Sequence, residues 1–151
     1  MNYGIQLKTL REEQNLTQEE TAKLINIKRS LYNQYEQQYD IIPIYRLNDL
    51  ANVFDVSIDY LLQITSNRKY LNNKKDISLE DTKTRLKEFR KEYNLTQQKL
   101  ASILNTNQSV IANYERGRNI IATPFLYTIC KKYNISADYL LGKSNIKELH
   151  N

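Results

Sequence analysis

Apolar residues fall at helical spacing in short runs along this chain. Leu7 and Leu10 sit three apart, and Leu47, Leu50, Ala51 and Phe54 follow the i, i+3, i+4, i+7 spacing of one buried helical face. Both runs return further along, as Leu86 with Phe89 and as Leu126, Ile129, Cys130 and Tyr133. The motif Asn15-Leu16-Thr17-Gln18 returns as Asn94-Leu95-Thr96-Gln97, a shift of 79 positions. Laid over residues 7–63 at that shift, residues 86–142 need no gap and give 21 identities in 57 positions. The identities run through Tyr35-Glu36 and Tyr114-Glu115 to the paired Asp-Tyr-Leu-Leu at residues 59–62 and 138–141. Chance does not produce this, so the pattern predicts two copies of one helical unit. The units span residues 5–66 and 84–146, with a polar linker at 67–83 and about five helices in each.

Local signals place the helix starts. Thr17 followed by Glu20 is a capping box, whereas Thr96 is followed by Lys99 and keeps only the N-cap half. Ser57 and Ser136 are expected to cap the last helix of each unit, with Asp59 and Asp138 in its first turn, where negative charge suits the helix dipole. Between Leu16 and Glu36, and again between Leu95 and Glu115, the pattern reads helix, sharp turn, helix. Ala22 and Ala101 allow a second helix to cross closely. Asn26 and Asn105 fall at the turn, and Asn is the non-glycine residue most willing to take positive φ. The next helix is expected from about Lys28 or Asn107.

These residues resemble the Cro and lambda/434 phage-repressor type of helix-turn-helix domain, the XRE family. The shared features are the Leu-Thr-Gln opening, the Ala in the first motif helix, the Tyr-Glu closing the second, and the final Val/Ile-Ser-x-Asp-Tyr-Leu-Leu. The two copies, gapless and in the same order, together cover about four-fifths of the chain. The resemblance implies an all-α fold of two tandem five-helix lambda-repressor-like domains, with the second motif helix of each lying in the major groove of double-stranded DNA. On that alignment Ile27, Tyr32 and Tyr35 face inward, leaving Lys28, Arg29, Ser30, Asn33 and Gln34 toward the bases. In the second unit Thr106, Ile111 and Tyr114 face inward, leaving Asn107, Gln108, Ser109, Ala112 and Asn113 outward. Leu31 and Val110 are left open between a thymine methyl and the core. Arg grips guanine with two hydrogen bonds, and Gln or Asn does the same for adenine, so Arg29 and the equivalent Gln108 are expected to prefer different bases.

The resemblance further assigns phosphate contacts to Gln18 and Gln97 at the start of the first motif helix, and to Arg116 and Arg118 after the second. The first unit has Gln37 and Tyr39 in place of those arginines. It makes Arg11 with Glu36, and Arg90 with Glu115, internal ion pairs rather than DNA contacts. Glu115-Arg116-Gly117 is the family's usual helix exit, with Gly free to take positive φ. Glu36-Gln37-Gln38 departs from it, and a left-handed Gln costs about 1 kcal/mol or more, so that helix is expected to end differently or run on. Pro43 sits where the family has Pro; the second unit has Ala122 there and Pro124 two places later.

Composition narrows the alternatives. Hydrophobic residues at 40% supply a core, while only three Gly and two Pro disfavour turn-rich β architectures. One Cys and one His exclude a disulfide framework, a Cys/His zinc site from one chain and a Ser-His-Asp relay. Cys130 aligns with Ala51 as a small core residue, His150 lies in a polar tail, and most of the 12 Tyr are expected to pack, Tyr35, Tyr60, Tyr114 and Tyr139 recurring at core positions. Glu12, Glu13, Glu19 and Glu20 pair with no nucleophile. No enzyme, metal or cofactor is implied. The chain shows neither a signal peptide nor a run of about 18 apolar residues, so a cytoplasmic protein without a membrane partner is expected.

Charge separates the copies. Lys plus Arg minus Asp plus Glu is −3 over residues 5–66, +2 over 67–83 and +6 over 84–146, within a net +5. Phosphate neutralisation drives DNA binding, so the second unit is the better binder on this ground. A linker of this length spans roughly 20–25 Å if flexible and about 60 Å if extended, enough to bridge half-sites about 34 Å apart. Ser78 to Asp81 also offers an early start for the second unit's first helix. The expected function is a transcriptional regulator, most simply a repressor occluding a promoter, in which the covalent pair replaces or adds to a homodimer. The competing expectation is an antitoxin-like or dimerising first unit that binds a protein, with only the second on DNA.

Overall fold

Left-handed residues punctuate this chain at the same places in both units. Positive φ occurs at Asn15, Asn26, Gln38, Asp55 and Gln63, and 79 positions on at Asn94, Asn105, Gly117, Asn134 and Gly142. Between these breaks the computed structural model, which describes residues 1–149, forms helices. In the first unit they are α1 (Tyr3–Glu13), α2 (Gln18–Leu24), α3 (Arg29–Gln37), α4 (Ile44–Phe54) and α5 (Ile58–Leu61). In the second they are α6 (Leu79–Glu92), α7 (Gln97–Ile103), α8 (Gln108–Arg116), α9 (Thr123–Tyr133) and α10 (Ala137–Leu140). His150 lies outside the described residues. No described helix is long and apolar enough to cross a membrane.

The capping signals operate as expected. Thr17 and Glu20 form the reciprocal capping box, Thr96 caps alone, and Ser57, Ser78 and Ser136 accept from backbone N–H groups three residues on. The Ser78 cap starts α6 at Leu79, within the stretch 67–83. Gln38 adopts the left-handed conformation of Gly117, with φ 57° against 77°, and ends α3 where Gly117 ends α8. Its side chain explains the tolerance. Gln38 Oε1 accepts from Gly4 N at 2.9 Å and Gln38 Nε2 donates to Met1 O at 3.1 Å, capping the start of α1.

The cores of the two units are continuous. Leu7, Leu47, Leu50, Ala51, Leu86, Leu126, Ile129 and the fully buried Cys130 belong to one apolar cluster. Tyr35 and Tyr114 are buried within it; Tyr60 and Tyr139 are only half-buried and carry Arg68 and Arg85 over their rings.

Where the units meet, α5 and α10 keep their own serine caps and exchange aspartate acceptors at their N-termini. Asp59 and Asp138 lie in the first turns of their own helices as expected, and the side chain of each also reaches across to the start of the other helix. Asp59 accepts from Ala137 N at 2.6 Å and Ser136 Oγ at 2.5 Å; Asp138 accepts from Ile58 N at 3.1 Å and Asp59 N at 2.8 Å. Both carboxylates are fully buried. Two linker residues complete the arrangement, Tyr70 OH donating to Asp59 at 2.8 Å and Asn73 Nδ2 to Asp138 at 3.1 Å. Backbone bonds from Lys74 to Lys143 and from Ser78 to Leu141 hold the linker down. The linker is thus packed against the seam instead of spanning freely. Burial, then repulsion from Asp138, pushes the Asp59 carboxyl well above the usual range. Lys143 is also buried and donates to Asn48 Oδ1 of the first unit at 2.6 Å.

Candidate nucleic-acid interface

Each helix pair α2–α3 and α7–α8 is fixed by a buried ion pair beneath it. Arg11 Nε meets Glu36 at 2.6 Å, and Arg90 Nε meets Glu115 at 2.7 Å. Each arginine also caps the preceding turn, donating to Leu16 O or Leu95 O at 2.9 Å. Glu36 accepts further from Gln18 Nε2 and Tyr32 OH, both at 2.9 Å. Burial alone would raise its carboxyl; the bonds from Arg11, Gln18 and Tyr32 outweigh that and hold it below the ordinary value. Ile111 stands where Tyr32 stands, so Glu115 keeps the Arg90 fork and a longer bond of 3.3 Å from Gln97.

The turns then aim the second helix. Asn26 and Asn105 take φ 58° and 56°. Ala22 and Ala101 are buried at the crossing. On α3, Lys28, Arg29 and Ser30 are exposed at the N-terminal end, Asn33 and Gln34 are half-buried, and Tyr32 and Tyr35 are buried. On α8, Asn107, Gln108 and Ser109 are exposed and Asn113 is half-buried. Ala112 does not face outward: it is 8% exposed, because the methyl group sits at the edge of the helix's packed face. Leu31 and Val110 are half-buried against the core.

Internal hydrogen bonds give these side chains different freedom. Gln18 Nε2 donates to Asn33 Oδ1 at 3.0 Å, whereas Gln97 Oε1 accepts from Gln108 Nε2 at 2.9 Å. The same glutamine therefore orients a different position in each unit. Asn107 is the N-cap of α8: its Oδ1 accepts from Val110 N and from Ser109 Oγ. Lys28 occupies the matching place with no side-chain cap bond. Arg116 and Arg118 are exposed beyond α8, and Gln37 and Tyr39 are exposed beyond α3, Tyr39 by 78%. Glu19 and Glu20 sit in the first turn of α2, while α7 has Gln98 and Lys99 there.

Sequence reasoning missed the structural engagement of Gln18, Gln97 and Asn107. The signals were present: Gln18 and Gln97 start a helix facing a buried carboxylate, and Asn107 stands at an N-cap position, so each amide has a local partner before any external one. Among the described residues, no group of three or more His, Cys, Asp and Glu side chains is placed to hold a metal ion.

Comparison with known proteins covers both halves. A family described as "Helix-turn-helix" matches residues 7–61, and one described as "Helix-turn-helix domain" matches residues 84–146. The chain is 40% identical over 63 residues to the uncharacterized HTH-type transcriptional regulator YobD of Bacillus subtilis, covering 42% of this chain and 56% of that protein. It is 39% identical over 64 residues to the HTH-type transcriptional regulator ImmR of the same organism, covering 42% and 50%. It is 35% identical over 78 residues to the uncharacterized HTH-type transcriptional regulator YqaE, also of B. subtilis, covering 52% and 67%. The chain thus spans about half to two thirds of the length of these curated relatives. No solved structure matches significantly.

Proposed function

We propose that this chain, both halves of which belong to the XRE-type helix-turn-helix family, is a sequence-specific regulator of transcription that reads duplex DNA with α3 and α8. The observation that carries this reading is the α2–α3 pair returning as α7–α8, each with polar side chains exposed at the start of its second helix, and the seam between α5 and α10 holds the two pairs in a single body. Repression by promoter occlusion is its simplest outcome. The copies differ where bases would be read, Arg29 against Gln108, so the half-sites are dissimilar. Gln97 holds Gln108 in one orientation and reduces the freedom it would lose on gripping adenine. Lys28, Ser30, Asn33, Gln34, Asn107, Ser109 and Asn113 complete the reading surfaces. Arg116 and Arg118 meet phosphates with their side chains, and Gln18 and Gln97, whose amides are engaged internally, meet them through the backbone N–H groups at the starts of α2 and α7. Glu19 and Glu20 weaken the first unit's grip, since an N-terminus that receives phosphate in α7 is already occupied by carboxylates in α2.

Selecting bound sequences from a random duplex library with the full chain, at stated salt, tests this reading. An asymmetric consensus of two parts is expected; a symmetric consensus, or none, overturns it. Gln108→Ala and Asn113→Ala should relax preference in one part and Arg29→Ala in the other, while Arg116→Ala weakens binding to all sequences and lowers the salt slope by about one.

A second reading rests on the first unit's −3 charge and on Tyr39, Ile41 and Tyr45, which expose apolar surface by 78%, 63% and 48% beside the exit of α3. In that reading α3 contacts a protein, another copy included, and only α8 contacts DNA. Arg29→Ala distinguishes the two, since it then changes neither affinity nor consensus.

A further inference from the structure

A cleft of about 480 Å3 lies between the end of α4, the linker and the seam, and no residue of α3 or α8 lines it. Its volume is that of a small-molecule site. Lys69, Lys74, Lys75 and Lys143 line it together with Tyr70 and Asn73. The carboxylate in the lining, Asp55, is paired with Lys69 at 2.7 Å, and Lys143 is held by Asn48. Among the described residues no carboxylate pairs with Lys74 or Lys75. Two adjacent exposed cations lining a cleft whose one carboxylate is already paired concentrate a positive field there.

Asn73 adds a second demand. Its Nδ2 donates to the buried Asp138 carboxylate, which fixes the amide's orientation and leaves Oδ1 as the other pole. That oxygen is buried without a hydrogen-bond partner among the described residues. A buried acceptor left unpaired is costly, and a ligand carrying an N–H or O–H group would relieve it. Lysines call for an anion and Asn73 for a donor.

We propose that this cleft binds a small phosphorylated molecule that also carries a hydrogen-bond donor, the chemistry of a nucleotide. The cleft's walls belong to the linker and to both units. Lys75 O accepts from Asn48 and Asn52 of α4 at 3.0 Å, Lys74 N donates to Lys143 O, and Asn73 braces the Asp138 cap. A ligand bound there adds contacts between the packed linker and both units, and so stiffens the seam that already holds α3 and α8 in one body. That regulatory consequence rests on the DNA-binding reading, whereas binding in the cleft does not.

Calorimetric titration of the full chain with ADP, inorganic pyrophosphate and adenosine tests the proposal. Saturable ADP binding is expected, tighter than either fragment alone. The double variant Lys74→Ala, Lys75→Ala should weaken it by about tenfold or more with an unchanged thermal midpoint, as losing two charge-assisted contacts implies. Asn73→Ala should bring ADP down to the affinity of pyrophosphate. No saturable ADP binding, or ADP affinity unchanged in the double variant, overturns the site. Pyrophosphate binding as tightly as ADP overturns the requirement for a donor. Failure of the library selection with ADP binding intact would remove the DNA reading and leave the cleft standing.

Discussion

The two units solve the same packing problems with their residues traded. Where the first helix of each unit crosses the exit of α3 or α8, the first unit has Gly4 opposite Gln38 and the second has Lys83 opposite Gly117. One member of each pair is glycine, and it changes sides. Beneath the motif, Glu36 is held by Arg11, Gln18 and Tyr32, while Glu115 depends on Arg90 with a longer bond from Gln97. The repeat therefore keeps backbone geometry and lets the chemistry that supports it move.

Removing the arginines sharpens this most. Breaking one partner of a buried ion pair costs about 3–5 kcal/mol. Arg90→Ala belongs at the top of that range, because Glu115 keeps one long hydrogen bond, and Arg11→Ala at the bottom, because Gln18 and Tyr32 still hold Glu36. Urea unfolding of both variants checks the order. Equal losses, or a larger loss for Arg11→Ala, would show that the extra donors around Glu36 contribute nothing.

The traded glycines give the next effect. A Cβ on Gly4 would lie 2.0 Å from the carbonyl oxygen of Glu36, so α1 has to move off α3. Gly4→Ala is expected to cost about 3 kcal/mol, the upper end for overpacking a tight contact. A Cβ on Gly117 meets the flexible end of Lys83 at 3.2 Å, leaving mainly the strain of φ 77°. Gly117→Ala should cost about 1 kcal/mol. Thermal midpoints in the reverse order would break the comparison.

Legibility followed the range of the interactions. The helix starts and the left-handed Asn26 and Asn105 were readable as local signals, and the two ion pairs were readable as what the family resemblance implies. Gln38 was readable only as an anomaly: what permits its φ is a bond to Gly4, far away in sequence. The seam was not readable. Asp59 and Asp138 look like first-turn residues of their own helices, and a sequence holds no sign that two symmetric helix starts will exchange acceptors. The repeat itself outlasts its visible identities. Ser57 N bonds to Arg68 O as Ser136 N bonds to Lys147 O, and Arg68 pairs with Glu13 as Lys147 pairs with Glu92, although neither 68 nor 147 lies in the identical stretch.

The smallest expected effect sets two carboxylates of the first unit against each other. Asp59 is raised in the folded state by burial and by Asp138, so its contribution is fully present below the unfolded value near 4 and is lost as pH rises through the folded value. Glu36 is lowered, so its contribution is present above its own unfolded value and is lost as pH falls through the folded one. Their slopes oppose, and the whole-chain profile hides both. Asp59→Asn separates them, since it removes the titrating group and keeps one acceptor oxygen at the α10 start. The midpoint of wild type minus that of the variant should fall as pH rises from about 4 toward neutrality, where a carboxylate ordinarily ionises. A difference that stays flat, or rises, would mean that Ala137, Ser136 and Tyr70 hold the Asp59 anion as firmly as water does. The exchanged acceptors would then bind the units without any dependence on pH.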